Sequence, residues 1–371
     1  MTKYILSTIA WVESIAKKEV GKQWGKIVEV RDRMIEFEGD SKTMIRVNLW
    51  SRVGNKVYQV LAEDKNIDNF DKLYDLVQKI DFKKYFHHDY PIIVKVKSIN
   101  SKLDSTPAIQ KIVKKSIIDK ITDKSWKKVI ENRDLEKFEI MVLLIDDKVK
   151  ILLNTTWEAL HKRGYRDETW EAPIKESLAA TLVLLSGWRF KETFYDVFCW
   201  SWTIAIEAAM IAKNIAPGLD RYFVFENLIL VDKKIVEEEL KLAKSKTFDW
   251  NYKIIVSDID SEILQIAKQN AKNAWVDDII RFEQKDFKEY LKENLAWTLV
   301  SNPPYWERLK VEFLDELYED IDKLFKQNKN LNWWIITSYF EWFDKIINLK
   351  NYKKRKLYNW WEKTYFYKKV S

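Results

Sequence analysis

The hydrophobic positions change period several times along the chain, and each change marks an element. Ile5–Ile9 is a short apolar run that reads as a strand, Val12–Val20 has helical spacing, and Ile27–Val30 and Met34–Phe37 are strands placed to pair. Residues 1–50 therefore form a small α/β unit. Phe70–Ile80 is helical and Ile92–Lys97 alternates as a strand. Thr106-Pro107 opens a helix that runs through Ile121, because a proline in the first turn sacrifices no hydrogen bond. Ile109, Ile112, Val113, Ile117 and Ile121 form its apolar face. Glu139–Ile145 and Val149–Leu153 flank Asp146-Asp147-Lys148 as a hairpin.

From about Thr155 the pattern becomes an alternation of strands and helices. Glu176–Leu185 is a helix, Thr193–Phe198 a strand and Thr203–Asn214 a helix. Ile254–Asp258 is a strand, followed by a helix over Ser261–Ala274 and strands at Ile279–Phe282 and Thr298–Val300. Val311–Phe325 is a helix and Trp334–Thr337 a strand. This alternation predicts an α/β fold with a mostly parallel, doubly wound sheet. A closing hairpin, Lys354–Tyr358 with Glu362–Tyr367, adds an antiparallel edge.

In such sheets ligands bind at the carboxyl ends of the strands. Four ends carry polar signals. Asp196-Val197-Phe198-Cys199-Trp200-Ser201-Trp202-Thr203 lies between an apolar strand and an apolar helix. With glycine at 200 and 202 it would be an acid followed by a Gly-x-Gly loop, a shape that suits a nucleotide-like ligand. Asp258-Ile259-Asp260 offers carboxylates to ribose hydroxyls, although either residue equally suits a helix cap. Asp286 is placed to meet an adenine amino group, or is an ordinary loop carboxylate. Ser301-Asn302-Pro303-Pro304-Tyr305 is the most specific signal. Two prolines stiffen the loop. The Asn302 side-chain carbonyl and the Pro303 backbone carbonyl can accept from one exocyclic amine, and Tyr305 offers a ring for stacking a splayed base.

Composition changes how these loops are read. The 371 residues hold 7 glycines and 18 tryptophans, whereas average usage gives about 7% glycine, roughly 26 residues. Several tryptophans stand where only glycine makes physical sense. Asn359-Trp360-Trp361 separates two strand-like runs, the place for an Asn-Gly turn whose residues need positive φ. The expectation is a gene that uses UGA for glycine and is written here with tryptophan. Trp157, Trp200, Trp202, Trp306 and one of Trp360 and Trp361 are the foremost such positions, with Trp11, Trp170, Trp275 and Trp297 as additions. Trp50 and Trp188 are read as true tryptophans. The alternative is a chain that is genuinely rich in tryptophan.

The net charge of +7 permits a nucleic-acid partner without requiring one. One cysteine, three histidines and no metal-ligand spacing predict no disulfide framework and no metal, and with no signal peptide the expected location is cytoplasmic. No apolar run reaches the ~18 residues that span a membrane.

At the four strand ends the chain resembles S-adenosylmethionine-dependent methyltransferases with a Rossmann-like domain that act on amino groups of nucleobases. Thr155-Thr156-Trp157-Glu158-Ala159-Leu160-His161-Lys162-Arg163-Gly164-Tyr165-Arg166 resembles the segment Thr-Thr-Gly-x-x-Leu-His-x-Arg-Gly-Tyr-Arg, and Ala172–Ala180 follows it. Asn214–Leu219, Phe223–Glu226 and Asn302–Arg308, with Trp306 for glycine, extend the match. Together they resemble the THUMP-domain large-subunit rRNA guanine-N(2)-methyltransferases over nearly the whole chain.

That resemblance implies an α+β N-terminal region, with a ferredoxin-like subdomain at 1–50 and a THUMP RNA-binding domain at 51–155, then a methyltransferase domain at 156–371. It implies S-adenosylmethionine held by Asp196, the loop Phe198, Cys199, Trp200, Ser201, Trp202 and Thr203, and Asp258, Asp260, Asp286 and Asn302. Asn302, Pro303 and Tyr305 would hold the target base. Lys102, Lys111, Lys114 and Lys115 would contact RNA phosphates, or form a solvated helix face. The second methyltransferase of bifunctional members is expected to be missing, and Val197 departs from the usual proline. A tRNA guanine target, an adenine or protein-glutamine target, and an inactive RNA-binding homologue with a filled cofactor pocket remain alternatives.

Overall fold

The computed structural model describes residues 1–87, 90–122, 135–166, 174–304, 311–346, 352–359 and 362–369. The first elements are β1 (Thr2–Thr8), α1 (Glu13–Lys22), β2 (Lys26–Arg31), β3 (Met34–Gly39), α2 (Ser41–Trp50) and β4 (Gly54–Asp64). Then come α3 (Phe70–Gln78), β5 (Ile92–Ile99), α4 (Thr106–Ile121), β6 (Phe138–Ile145) and β7 (Lys148–Asn154). The second half contains α5 (Glu176–Ser186), β8 (Phe194–Asp196), α6 (Thr203–Ala212), α7 (Lys233–Ser245), β9 (Ile254–Asp258), α8 (Ser261–Asn273) and β10 (Ile280–Gln284). It closes with α9 (Phe287–Tyr290), β11 (Trp297–Ser301), α10 (Val311–Gln327), β12 (Leu331–Thr337), α11 (Phe340–Ile346), β13 (Tyr352–Asn359) and β14 (Glu362–Lys369).

Two compact units result. One comprises Met1–Thr8, Ala16–Leu160 and Arg221–Leu242; the other comprises Ile9–Ile15, His161–Asp220 and Ala243–Ser371. The first is built on one seven-stranded sheet of order β2-β3-β1-β4-β7-β6-β5. The expected border at residue 50 falls inside this sheet, because β4 pairs with β1 on one side and β7 on the other. Arg46 on α2 holds Glu239 on α7 with two bonds of 2.7 Å, which ties the 221–242 segment to this unit. On α4, Ile109, Val113, Ile117 and Ile121 are buried and Ile112 is half-buried. Lys102, Lys111 and Lys115 are exposed. Lys114 instead donates to the Ile92 carbonyl at 3.1 Å, so its ammonium is engaged on the adjoining strand.

The second unit is a seven-stranded sheet of order β10-β9-β8-β11-β12-β14-β13. β10, β9, β8, β11 and β12 run parallel, and β14 and β13 form the antiparallel edge. This is the Rossmann-like arrangement that the alternating pattern predicts. One buried cluster gathers residues of α5, α6 and α8, and another those of α10 and α11. Trp188 belongs to the first: it is 7% exposed, its ring lies 4.9 Å from that of Phe194, and its indole N–H donates to the Glu192 carbonyl at 2.9 Å. Among the described residues no helix is long and apolar enough to cross a membrane.

Backbone geometry separates the tryptophans into two kinds. Eleven described non-glycine residues have positive φ, and six are tryptophans: Trp11, Trp24, Trp157, Trp202, Trp275 and Trp297. Four of the other five are Asn or Asp, which tolerate the left-handed region. Three helix ends show the conflict. α1, α6 and α8 each close with a pair of bonds in the Schellman pattern: Gly25 to Val20, Ile215 to Met210 and Val276 to Ala271, with Trp24 to Gly21, Asn214 to Ile211 and Trp275 to Lys272. The left-handed position is thus Trp24, Asn214 or Trp275, with φ of 64°, 52° and 60°. Glycine or asparagine normally occupies it, since neither meets the Cβ penalty in full. Trp24 had no distinguishing signal in the sequence. Trp200 is not among the positive-φ residues, and Trp170, Trp306, Trp360 and Trp361 lie outside the described residues.

Trp275→Gly and Trp297→Gly, at side chains 68% and 51% exposed, should each stabilise the protein. Relief of left-handed strain exceeds glycine's entropy cost by about 0.5–1 kcal/mol. Trp188→Gly should destabilise by about 3–5 kcal/mol, as large-to-small core changes do. Denaturant midpoints check both directions; three losses of similar size would contradict the division.

Candidate active site

β8 lasts only three residues and ends at Asp196. The chain passes through Val197 and Phe198 into a single tight turn, Cys199–Ser201, and enters α6 through Trp202 at φ 36°. The Trp202 N–H donates to the Cys199 carbonyl, and both residues are buried. The Trp202 indole is 2% exposed and its N–H has no partner. Thr203, the first residue of α6, is buried and accepts from the Arg166 guanidinium at 2.6 Å. Of the two indoles in this turn, one is thus driven into the core.

A cavity of about 330 Å³ opens beside this turn, at the carboxyl ends of the parallel strands. Of the residues singled out in the sequence, it brings together Phe198, Trp200, Asp258, Asp260 and Asp286. Lys285, Phe287, Ile259, Ile263, Val197, Pro304 and Leu317 complete its wall and carried no individual signal. Pro304 did sit within the conspicuous Asn-Pro-Pro run. Asp258 accepts from the Asp260 N–H at 3.1 Å. Burial pushes its carboxyl above the usual range, and the N–H groups of Asp260, Trp200 and Ile259 oppose that. Asp260 and Asp286 do cap helices: Asp260 accepts from Glu262 N at 2.8 Å at the start of α8, and Asp286 from Lys288 N at 2.8 Å at the start of α9. Both also line the cavity, so capping and ligand-facing placement coexist.

The remaining candidates lie elsewhere. Asp196, Cys199, Trp202, Thr203, Asn302 and Pro303 are not in the cavity lining. Asp196 is fully buried and turned toward β11, where its Oδ1 accepts from the Ser301 hydroxyl at 2.5 Å. Burial, with a smaller contribution from the Asp258 charge, pushes its carboxyl up to about 7 against the bonds from Ser301 and the Phe198 N–H. Ser201 contributes backbone to the turn. Asn302 and Pro303 are buried at the end of β11. Tyr305 lies outside the described residues. Among the described residues, no group of three or more His, Cys, Asp or Glu could hold a metal ion.

The donor set fits the nucleoside end of a nucleotide-like cofactor. Asp258 and Asp286 supply acceptors, and Ile259, Phe287 and Leu317 supply apolar surface. At the loop end the Trp200 indole is itself part of the wall.

A parallel sheet with an acidic cavity at its strand ends, beside a stiff Asn-Pro-Pro loop, is a Rossmann-like ligand-binding domain, and the family match makes it a methyltransferase domain. Residues 163–365 match the model of the UPF0020 family, RMKL-like methyltransferase domain, and residues 3–58 match that of the RlmL ferredoxin-like domain. The "Putative RNA methyltransferase YpsC" of Bacillus subtilis (strain 168) is 36% identical over 99% of this chain and 96% of its own length. A "predicted N6-adenine-specific DNA methylase" from Listeria monocytogenes str. 4b F2365 is 34% identical, with a TM-score of 0.91 over 100% of this chain and 96% of that one. SMU.472, a "putative methyltransferase complexed with SAH", is 32% identical, with a TM-score of 0.89 over 100% and 98%. The chain belongs to this family of S-adenosylmethionine-dependent methyltransferases.

Asp196 also ties stability to pH. Its carboxyl holds a proton in the folded state up to about pH 7. In the unfolded chain it releases that proton near pH ~4. Between these values the folded state binds more protons, so stability falls as pH rises, by up to about 1.4 kcal/mol per unit. Asp196→Asn, which can still accept from Ser301, should therefore stabilise the protein more at pH 8 than at pH 5. Denaturant titrations at the two values test this, and equal effects would contradict it.

Proposed function

We propose that the protein transfers a methyl group from S-adenosylmethionine to the exocyclic 2-amino group of a guanosine in large-subunit ribosomal RNA. Asn302-Pro303-Pro304 carries this assignment: the run leaves β11 with Asn302 and Pro303 buried, and Pro304 stands on the wall that also holds Asp258 and Asp286. An amine acceptor and a nucleoside cavity are thereby adjacent. Asp258 takes the ribose hydroxyls, Asp286 the adenine amine, and the backbone of 198–203 the remainder of the cofactor, which supplies the methyl group. The target base is flipped out of its RNA context. Tyr305 stacks it, while the Asn302 side-chain carbonyl and the Pro303 carbonyl hold the 2-amino group. Positioning of this kind can be worth ~7–11 kcal/mol. As the nitrogen gains the methyl group, the donor would leave as S-adenosylhomocysteine and the acidified amine would release its proton to water, so no strong general base is required.

RNA is favoured over DNA by the RlmL ferredoxin-like match at 3–58 and by the name of the Bacillus relative. The resemblance of 101–121 to a THUMP helix region points the same way. Exposed Lys102, Lys111 and Lys115 supply phosphate contacts. A tRNA guanosine is the second reading, since the same two-part organisation serves it.

The loop tryptophans belong to the same proposal. The gene uses UGA for glycine, and the functional chain carries glycine at 157, 200 and 202. The six tryptophans with positive φ support this. Codons decide it: UGA is expected at Trp24, Trp200, Trp202 and Trp275, and UGG at Trp188. UGG at 200 and 202 would leave an RNA-binding homologue with a filled cofactor loop.

The chain made with its own genetic code should methylate ribosomal RNA from cells lacking the gene, giving N(2)-methylguanosine by mass spectrometry of nucleosides. Asn302→Ala should lower turnover by about 10²–10³-fold, the cost of removing one preorganised transition-state contact, with cofactor affinity preserved. N6-methyladenosine as the product, or unchanged turnover in Asn302→Ala, would overturn the assignment.

A further inference from the structure

The loop that faces the cofactor and the loop that holds the base leave two adjacent parallel strands, β8 and β11. Their register pairs Thr298 with Phe194 and Leu299 with Tyr195, and goes no further. Beyond that point one side chain spans the gap. Ser301, fully buried at the end of β11, donates its hydroxyl to Asp196 at 2.5 Å and accepts the Phe198 N–H at 3.1 Å. Asn302 follows it directly.

We propose that Ser301 is a positioning residue: its hydroxyl fixes the start of the cofactor loop against the start of the Asn-Pro-Pro loop, and so sets the distance and angle between methyl donor and amine. This rests on the methyl-transfer function above. Three features support it. The hydroxyl is used in both directions, donating to one loop's flank and accepting from its backbone. Among the described hydrogen bonds only Ser301 links the Asp196 carboxyl to β11, since its second oxygen is buried without a partner and the Phe198 N–H that also reaches it belongs to the same loop. The other end of the Asn-Pro-Pro run is held separately, by the Tyr318 hydroxyl, which lies 3.5 Å from the Pro304 carbonyl and 2.6 Å from the Thr337 hydroxyl. Ser301 therefore controls the relation between the two loops rather than the shape of either.

A device of that kind acts on alignment more than on binding. The 198–203 turn serves chiefly the cofactor and Asn302 chiefly the base, with Pro304 also on the cavity wall, whereas the reaction needs both loops in register, and a displacement of about 1 Å can cost about 10²-fold in rate. In the protein made with its own genetic code, Ser301→Ala should lower single-turnover methyl transfer about 30- to 100-fold. Affinities for S-adenosylhomocysteine and for RNA should change less than about threefold. Ser301→Thr, which returns the hydroxyl, should recover at least about tenfold of the lost rate. Turnover within threefold of the parent, parallel losses of affinity and turnover, or a loss that Ser301→Thr fails to restore would overturn the proposal. Should the parent transfer no methyl to guanosine, the functional assignment fails and amide exchange judges the strut alone. Phe198 N–H should exchange at least about tenfold faster in Ser301→Ala, and unchanged protection overturns the role.

Discussion

The backbone between β8 and α6 has to reverse inside a few residues, and it does so through a left-handed residue at 202 that leads straight into the helix. The site is arranged around that turn. It places the α6 N-terminus behind the loop, brings Phe198 and Trp200 to the cavity wall, and sets the Phe198 N–H against Ser301. A residue without a Cβ meets the demand freely. A tryptophan there carries left-handed strain of roughly 1–2 kcal/mol and buries an indole N–H with no acceptor, a further cost of about 1–3 kcal/mol. At Trp24 and Trp275 the same demand is met with the side chain pointing into solvent, 63% and 68% exposed. At Trp202 the surrounding helices leave only the core.

The carboxylates of the second sheet divide by depth. Asp260 and Asp286 sit at helix starts, where backbone N–H groups keep them satisfied while one face remains open to the cavity. Asp258, at the end of β9, is half-buried and faces the same space. Asp196, at the end of β8 in the middle of the five parallel strands, is sealed behind them and bonds to Ser301. Acidic residues at neighbouring strand ends thus have different duties, and burial decides which.

Most of the second sheet was legible in the sequence because each buried parallel strand is a compact apolar run bounded by polar turn residues. β9 carries the bounds its Ile254–Asp258 pattern predicts, and α4 runs from Thr106 to Ile121 as its proline and apolar spacing require. α2 was not legible, since Thr43, Met44, Ile45, Val47, Asn48 and Leu49 are all buried and leave little polar face to show a period. β4 was hidden because its register slips between Val60 and Ala62, which breaks the alternation. Its pairing with both β1 and β7 is long-range, so no local pattern could reveal that residues 1–50 and the strands that follow share one sheet. Asp258 and Asp286 line the cavity, which lies at the strand ends where open α/β sheets place their ligands. Lys285, Phe287 and Leu317 reach the cavity only through the packing of the segments around α9 and α10, and the burial of Asp196 was not legible because position along a strand does not report depth.

The most direct test compares the chain as written with the same chain carrying Trp200→Gly and Trp202→Gly, by calorimetry with S-adenosylhomocysteine. The double variant is expected to bind, with at least about tenfold higher affinity than the chain as written, because glycine opens the loop at one position and removes the buried indole at the other. Equal affinity of the two chains would contradict the claim that the loop's backbone, rather than its indoles, forms the cofactor site.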